Sequence, residues 1–308
     1  GNKLKKFFKA YISNILFIIF VTFFALFLYN NQDEMKSLLE FSYLNLSSLI
    51  IFFFLSYLCK TKLNQFLYSL KNIEMSFTET LNLVINSTAG NLSTPFSLGT
   101  GYKFHYLKQK YKISYTENLN LNIYLSIFTN LLFVIILFFI SFSYFLNISE
   151  VFLKFTILWG LIVLFGIILL LLLSKIYTNK RLLFINKYSL KSLSLSFKKI
   201  VNLFIYTAIL IAINIVTHYY LFQILNFDID YLQIASYVSL SGVANIIKFT
   251  PGNFGINEGV LILTNLYHGL TTIQILLTSL IFRFFSWLNI LFFYTVLNFQ
   301  KSKNRESK

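Results

Sequence analysis

One stretch limits how this chain can fold: Thr250-Pro251-Gly252-Asn253-Phe254-Gly255-Ile256-Asn257-Glu258-Gly259, set deep in an apolar second half. Proline and glycine break or weaken a helix, and a carboxylate is costly in lipid. An uninterrupted span through these residues is therefore excluded. A fainter copy, Thr94-Pro95-Phe96-Ser97-Leu98-Gly99, stands 156 residues upstream, and both read Thr-Pro, three residues, Gly. The chain has two prolines, and these are the two. The pairing reads as an internal repeat.

The surroundings are membrane-like. The 308 residues are 56% hydrophobic and 12% charged, and several uncharged runs reach or approach the ~20 residues that cross a bilayer. The fold expected is an all-α polytopic membrane protein. Full spans are read at about 11–29, 44–59, 118–146, 152–174, 200–225 and 272–298. Tyr11–Tyr29 is taken as a span and not a signal peptide, because no small-residue cleavage site follows it. Between the spans lie two broken regions, 76–101 and 231–270. The whole is one transmembrane domain, 1–308, with pseudo-repeat halves of about 1–146 and 152–298 and a basic tail at 299–308.

Charge decides the topology. With the N-terminus inside, the inner segments hold 22 of the 26 Lys and Arg, while the outer loops hold Asp33, Glu34, Glu40, Glu150, Asp228 and Asp230. This agrees with the positive-inside bias only if each broken region enters and leaves on one side. The expectation is six full spans plus two re-entrant hairpins entering from opposite faces, with both termini cytoplasmic. Two full crossings at 231–270 preserve the same parity. Inverted repeats with broken helices at mid-membrane are a transporter design.

The broken regions also supply chemistry. Thr-Pro suits a helix start, with Thr as the cap and Pro at the first helical position. A half-helix N-terminus favours an anion, and Gly252 and Gly255 let a headgroup approach the backbone. The candidate binding set is Asn91, Thr94, Pro95, Gly99, Asn245, Lys248, Thr250, Pro251, Gly252, Gly255, Glu258 and Arg283. For Glu258 and Arg283 two readings stand: a structural pair, or cavity-facing groups that meet a zwitterionic headgroup. Asn91 and Asn245 either donate to the cavity or satisfy broken backbone. His218 reads as a hydrogen-bonded structural intramembrane histidine, with a proton relay as the alternative, and His105 and His268 as loop or interface residues. With Cys59 as the one cysteine, no disulfide framework or Cys-based metal site is expected. Neither a cofactor nor a catalytic triad is read. Nucleic-acid binding is not expected, since no basic soluble domain is present to hold it.

The run from Pro251 to Gly259 resembles the Pro-Gly-x-x-Gly-x-x-Glu signature of the lysylphosphatidylglycerol synthase transmembrane region, a flippase-like family. Thr94-Pro95-x-x-x-Gly99, followed by Tyr102 and a basic stretch, is similar to that family's Pro-x-Arg-x-Gly-Glu signature. Ser97 stands where the family usually has Arg, Thr100 where it has Glu, and Asn257 where Arg often precedes the Glu. The resemblance implies a stand-alone member without the synthase domain. It also implies movement of a lipid with an anionic or zwitterionic headgroup between leaflets of a prokaryotic plasma membrane. The expected partner is a membrane lipid, with a lipid-modifying enzyme or a second copy of the chain also possible. Two alternatives stand beside transport: a non-enzymatic scaffold for a glycosyltransferase or lipid-modifying enzyme, and a membrane-embedded transferase on a lipid-linked sugar with Glu258 as its acid or base.

Overall fold

The computed structural model describes residues 43–94, 97–144, 197–246 and 250–306, with Leu26, Tyr29 and Asn30. The expected spans at 11–29 and 152–174 lie almost wholly outside the described residues. Among these residues all regular structure is helical. The helices are α1 (Tyr43–Ser69), α2 (Phe77–Ser93), α3 (Leu98–Tyr111), α4 (Tyr115–Tyr144), α5 (Phe197–Ile224), α6 (Tyr231–Ala244), α7 (Ile256–Leu263) and α8 (Thr272–Glu306). Single 3-10 turns occupy Pro251–Asn253 and Asn265–Tyr267. Among the described residues four helical stretches are long and apolar enough to cross a membrane: α1, Tyr115–Ile140, Lys198–Ile224 and Thr272–Leu297. At about 1.5 Å per residue, α2, α3, α6 and α7 each fall short of a ~30 Å hydrocarbon core.

Local sequence sets the helix ends. Ser114 and Glu117 cap α4 reciprocally, and Asp230 with Gln233 and Thr271 with Gln274 do the same for α6 and α8. Ser76 accepts from the Glu79 amide at the start of α2. Helices α1 and α5 stop alike. Asn72 (φ 57°) and Asn226 (φ 54°) take left-handed backbone, and the Ile73 and Phe227 amides donate back to Tyr68 O and Phe222 O. Each asparagine is followed five residues later by a short helix. The order long helix, asparagine turn, two short helices, long helix thus occurs twice.

Helices α1 and α5 are antiparallel: Phe52 stacks on Tyr220, and Phe66 meets Tyr206. This frame gives the bundle two ends. At one, Leu67, Tyr68, Met75, Leu107, Leu121 and Leu203 share a core, which joins the end of α1 to the start of α2, the end of α3 and the starts of α4 and α5. At the other, Leu49, Leu137, Leu225, Phe227 and Ile275 meet. Lys71, Lys108, Lys110, Lys112, Lys198 and Lys199 mark the first as the basic end, while Asp228 and Asp230 mark the other as acidic. Helix α8 runs from the acidic end back to Leu81 and Ile85 of α2. The α2–α3 hairpin therefore starts from the basic end and the α6–α7 hairpin from the acidic end.

Close backbone contact holds the first hairpin shut. A Cβ built on Gly90 falls 2.7 Å from the Gly99 Cα, and one built on Gly99 falls 1.9 Å from Ser87 O. At its base Glu79 Oε1 accepts from Lys110 Nζ (2.8 Å), Tyr106 (2.7 Å) and Tyr111 (2.8 Å). In the second hairpin Asn253 Nδ2 donates to Ala244 O at 3.1 Å. Gly242 packs on the Phe133 ring of α4 so closely that a Cβ would sit 2.1 Å from it.

Three expectations need correction. Helix α1 does not stop near Cys59 but continues to Ser69, because Lys60 finds Thr88 Oγ1 at 3.2 Å inside the bundle and so does not need an interfacial position. His105 is no loop residue: the basic run 103–112 continues α3 to Tyr111, with Lys103 buried and donating to Asn122 Oδ1 at 3.1 Å. His268 sits in a turn, as the loop reading has it, but not at an interface: it is fully buried, with Nε2 3.0 Å from Leu261 O and Nδ1 accepting from the Leu270 amide.

Two outcomes follow for stability. Gly99→Ala forces its new methyl against a main-chain oxygen that cannot swing away, so thermal unfolding in detergent should show a loss of ~1–3 kcal/mol, typical of overpacking. Gly101→Ala, where a Cβ meets nothing within 4 Å and the backbone is helical, should instead raise stability by about 0.5–1 kcal/mol. At Glu79 partial burial pushes the carboxyl pKa up, but hydrogen bonds from Lys110, Tyr106 and Tyr111 outweigh it and hold it below the ordinary value. Its stabilisation is thus full above the unfolded pKa and is lost as pH falls through the lower, folded one. Melting temperatures of wild type and Glu79→Gln, separated at neutral pH, should converge as the buffer is taken toward pH 3.

Candidate functional site

The two hairpins end beside each other at mid-height of the long helices. Pro251 opens a 3-10 turn, as its fixed φ allows, and Gly252 follows at φ 56° and Gly255 at φ 86°. Both glycines occupy the left-handed half of the map, where side chains are strained, so the decapeptide can reverse twice before α7 begins. Gly252 lies against Leu92 at the end of α2, and a Cβ there would be 3.2 Å from Leu92 Cδ2. The tip of one hairpin thereby rests on the tip of the other.

Glu258 and Arg283 pair at this junction. Glu258 is 2% exposed. Its Oε2 accepts from the Gly255 amide at 2.6 Å, and its Oε1 accepts from Arg283 Nη1 at 2.7 Å and from the Ser279 hydroxyl. Arg283 Nη1 also donates to Ser279 Oγ, and Nη2 to Gly252 O at 3.2 Å. Its guanidinium lies 4.2 Å from the centroid of the Phe254 ring, a cation–π contact. One arginine from α8 therefore ties the motif's backbone, its aromatic ring and its carboxylate into a single unit. Of the two readings of this pair, the ion pair forms, and Arg283 additionally lines a cavity.

That cavity has a volume of about 370 Å³. Leu92 of α2, Thr129 and Phe133 of α4, Asn214 and His218 of α5, Tyr237, Ser241 and Asn245 of α6, Gly252 and Asn257 of the motif, and Phe282, Arg283 and Ser286 of α8 line it. His218 Nδ1 lies 2.8 Å from Asn214 O. A carbonyl only accepts, so Nδ1 carries the proton and Nε2 of the neutral ring is an acceptor. Asn257 Oδ1 is buried with no hydrogen-bond partner, a state that costs free energy unless a donor reaches it.

The other sequence candidates divide. Asn245, Gly252 and Arg283 line the cavity, whereas Glu258 and Gly255 stand behind them as support. Asn91 serves the backbone of its own hairpin, its Oδ1 accepting from the Thr100 amide at 3.0 Å. Gly99 is a packing residue. The threonines do not cap as expected: Thr94 ends α2 and donates to Gly90 O, and Thr250 donates to Phe254 O at 2.7 Å. At the start of α7 the N-cap amide expected to meet a ligand anion is held by Glu258 itself. Pro95 and Lys248 lie outside the described residues. Sequence reasoning did not place Asn214, Tyr237, Ser241, Asn257, Phe282 and Ser286 in the site. Asn257 belongs to the motif but stood out only as a missing charge, the others are ordinary residues on apolar helices, and only the fold brings them together.

A family model described as the lysylphosphatidylglycerol synthase TM region matches residues 11–293. The chain belongs to that family. The match runs through both hairpins and the cavity helices, so the lysylphosphatidylglycerol synthase TM region is the setting for the whole site. No curated protein and no solved structure matches the chain.

The pair has a thermodynamic signature. Arg283→Met leaves the Glu258 carboxylate buried without its cation and should cost roughly 3–5 kcal/mol, the usual penalty for breaking a buried pair. Arg283→Met combined with Glu258→Gln should recover most of that loss. Unfolding of the two variants in detergent measures the difference, and equal losses would show that the carboxylate is not held by Arg283.

Proposed function

We propose that the protein is a non-enzymatic lipid transporter of the flippase type, moving a lipid with an anionic or zwitterionic headgroup between the leaflets of a prokaryotic plasma membrane. In this reading α2–α3 and α6–α7 are re-entrant hairpins of an inverted repeat, the six spans include the two expected at 11–29 and 152–174, and the basic end with both termini faces the cytoplasm. The supporting observation is the meeting of Leu92 and Gly252, tips of hairpins that start from opposite ends, beside a polar cavity with an arginine in its wall. Broken backbone at membrane depth is tolerated where it is buried in protein or lines a watery cavity, and this arrangement is typical of alternating access. The headgroup occupies the cavity while the tails remain in lipid, and rocking of one repeat against the other opens the cavity to each leaflet in turn. Glu258 is poorly suited to general acid–base work, since it lies behind the cavity wall with both oxygens engaged. That favours transport over a transferase.

Proteoliposomes test the reading. Purified protein should accelerate the transbilayer movement of fluorescent phosphatidylglycerol or phosphatidylethanolamine, read by chemical quenching of the outer leaflet. Ser241→Phe, which fills the cavity from α6, should abolish the acceleration while the protein stays monodisperse. No acceleration by the wild type for either lipid, or full activity in Ser241→Phe, would defeat the proposal.

A further inference from the structure

We infer that the cavity is built for a phosphate-linked polyol or sugar headgroup, and that it discriminates against a headgroup bearing an ammonium. The inference deepens the transport reading, because it takes the same cavity as the headgroup site. It begins with charge. An ammonium at membrane depth carries a heavy desolvation cost, which aromatic faces such as Phe133, Tyr237 and Phe282 offset in part and a free carboxylate offsets most fully. Of the eleven acidic residues, six of the described ones, Glu74, Glu79, Glu117, Asp228, Asp230 and Glu306, occupy turns, first turns or the tail at the two ends of the bundle. Asp33, Glu34, Glu40 and Glu150 fall between the apolar runs of the sequence. That leaves Glu258, whose Oε1 is taken by Arg283 and Ser279 and whose Oε2 is taken by the Gly255 amide. A cationic headgroup therefore finds its one counter-charge already spent.

The remaining wall is complementary to hydroxyls and to a single phosphate. A hydroxyl both donates and accepts, and the wall offers both partners. His218 lines the cavity and keeps Nε2 as an acceptor once Nδ1 is committed to Asn214 O, and the wall residue Asn257 has an Oδ1 that is closed off and without a donor, so a turn of its amide toward a headgroup hydroxyl satisfies both groups. On the donor side, three of the five guanidinium N–H groups of Arg283 are used by Glu258, Ser279 and Gly252 O. Two remain for a phosphate oxygen. The volume of about 370 Å³ lies near the lower end of the ~300–1,000 Å³ typical of small-molecule pockets. It holds one headgroup and leaves no room for tails.

Short-chain lipids titrated into the detergent-purified protein, with occupancy read by native mass spectrometry, provide the test. Phosphatidylglycerol and phosphatidylinositol should bind about ten-fold more tightly than phosphatidylethanolamine and lysyl-phosphatidylglycerol, the discrimination that two or so buried hydrogen bonds supply. Asn257→Leu, which keeps the side chain's size and removes the acceptor, should reduce polyol binding several-fold and leave phosphatidylethanolamine unchanged. Equal or tighter binding of the ammonium lipids overturns the inference, as does a polyol preference that survives in Asn257→Leu. The transport reading is judged separately, by transbilayer movement of the same four lipids. Selective polyol binding without movement removes the transporter and keeps the inference. Movement with tighter binding of the aminoacylated lipid does the reverse.

Discussion

The contact between Arg283 and Glu258 is the constraint around which the middle of the bundle is organised. Neither charge tolerates the apolar interior alone, and each satisfies the other only if α8, the Gly252 carbonyl and the start of α7 hold one geometry. The carboxylate accepts from the Gly255 amide in the same act, so it also caps the helix on which it sits. A favourable helix-end interaction and an ion pair are thereby made by a single group. The reversal of the chain at Gly252 and Gly255 is the backbone condition for this arrangement, because only there does the Gly252 carbonyl reach the guanidinium.

Once that junction is held, the rest of the site follows from the frame. Antiparallel α1 and α5 define two ends, and each hairpin is anchored at its own end by different chemistry. The first uses the Glu79 cluster with Lys110 and two tyrosines. The second uses buried His268, bonded to Leu261 O and to the Leu270 amide, with the Asp230–Gln233 capping box at the entrance to α6. The tips meet because Gly90 and Gly99 let α2 and α3 touch along their backbones, while Gly242 lets α6 approach Phe133. Small residues at helix crossings are the general means of close approach in a bilayer, where no hydrophobic force drives apolar helices together. Here they position the cavity.

Much of this frame was legible because it depends on local rules. Ser114 with Glu117, Asp230 with Gln233 and Thr271 with Gln274 are capping signals readable three residues apart, and they locate the starts of α4, α6 and α8. The two prolines and their glycines disclosed where the helices break. Less legible was whatever depended on a partner distant in sequence. Nothing near Lys60 and Lys103 in sequence announces Thr88 and Asn122 as their partners, and nothing local shows that the turn residue His268 is buried against Leu261 O. The Thr-Pro pairs were read as caps because threonine accepts hydrogen bonds well, yet both hydroxyls act as donors, to Gly90 O and Phe254 O. Thr94 finds a last-turn carbonyl of α2, and Thr250 finds the carbonyl between the positive-φ residues Asn253 and Gly255, and in each case this outweighs the local capping preference.

The departures from the family signature have a consistent physical meaning in this light. Ser97, Thr100 and Asn257 are neutral where the family usually carries charge. Thr100 is bound within its hairpin by Asn91, whereas Asn257 turns an amide oxygen into a buried position with no donor. An arginine at position 257 would add a second cation within one residue of Glu258 and would compete with Arg283 for the same carboxylate. An asparagine avoids that competition and leaves the Arg283–Glu258 pair undisturbed. The junction thus has its charge balanced internally, and its capacity to recognise a ligand lies in hydrogen bonding and in the free edge of a single arginine. Selectivity in such a site comes from the arrangement of donors and acceptors, because little unpaired charge remains to attract an ion on its own.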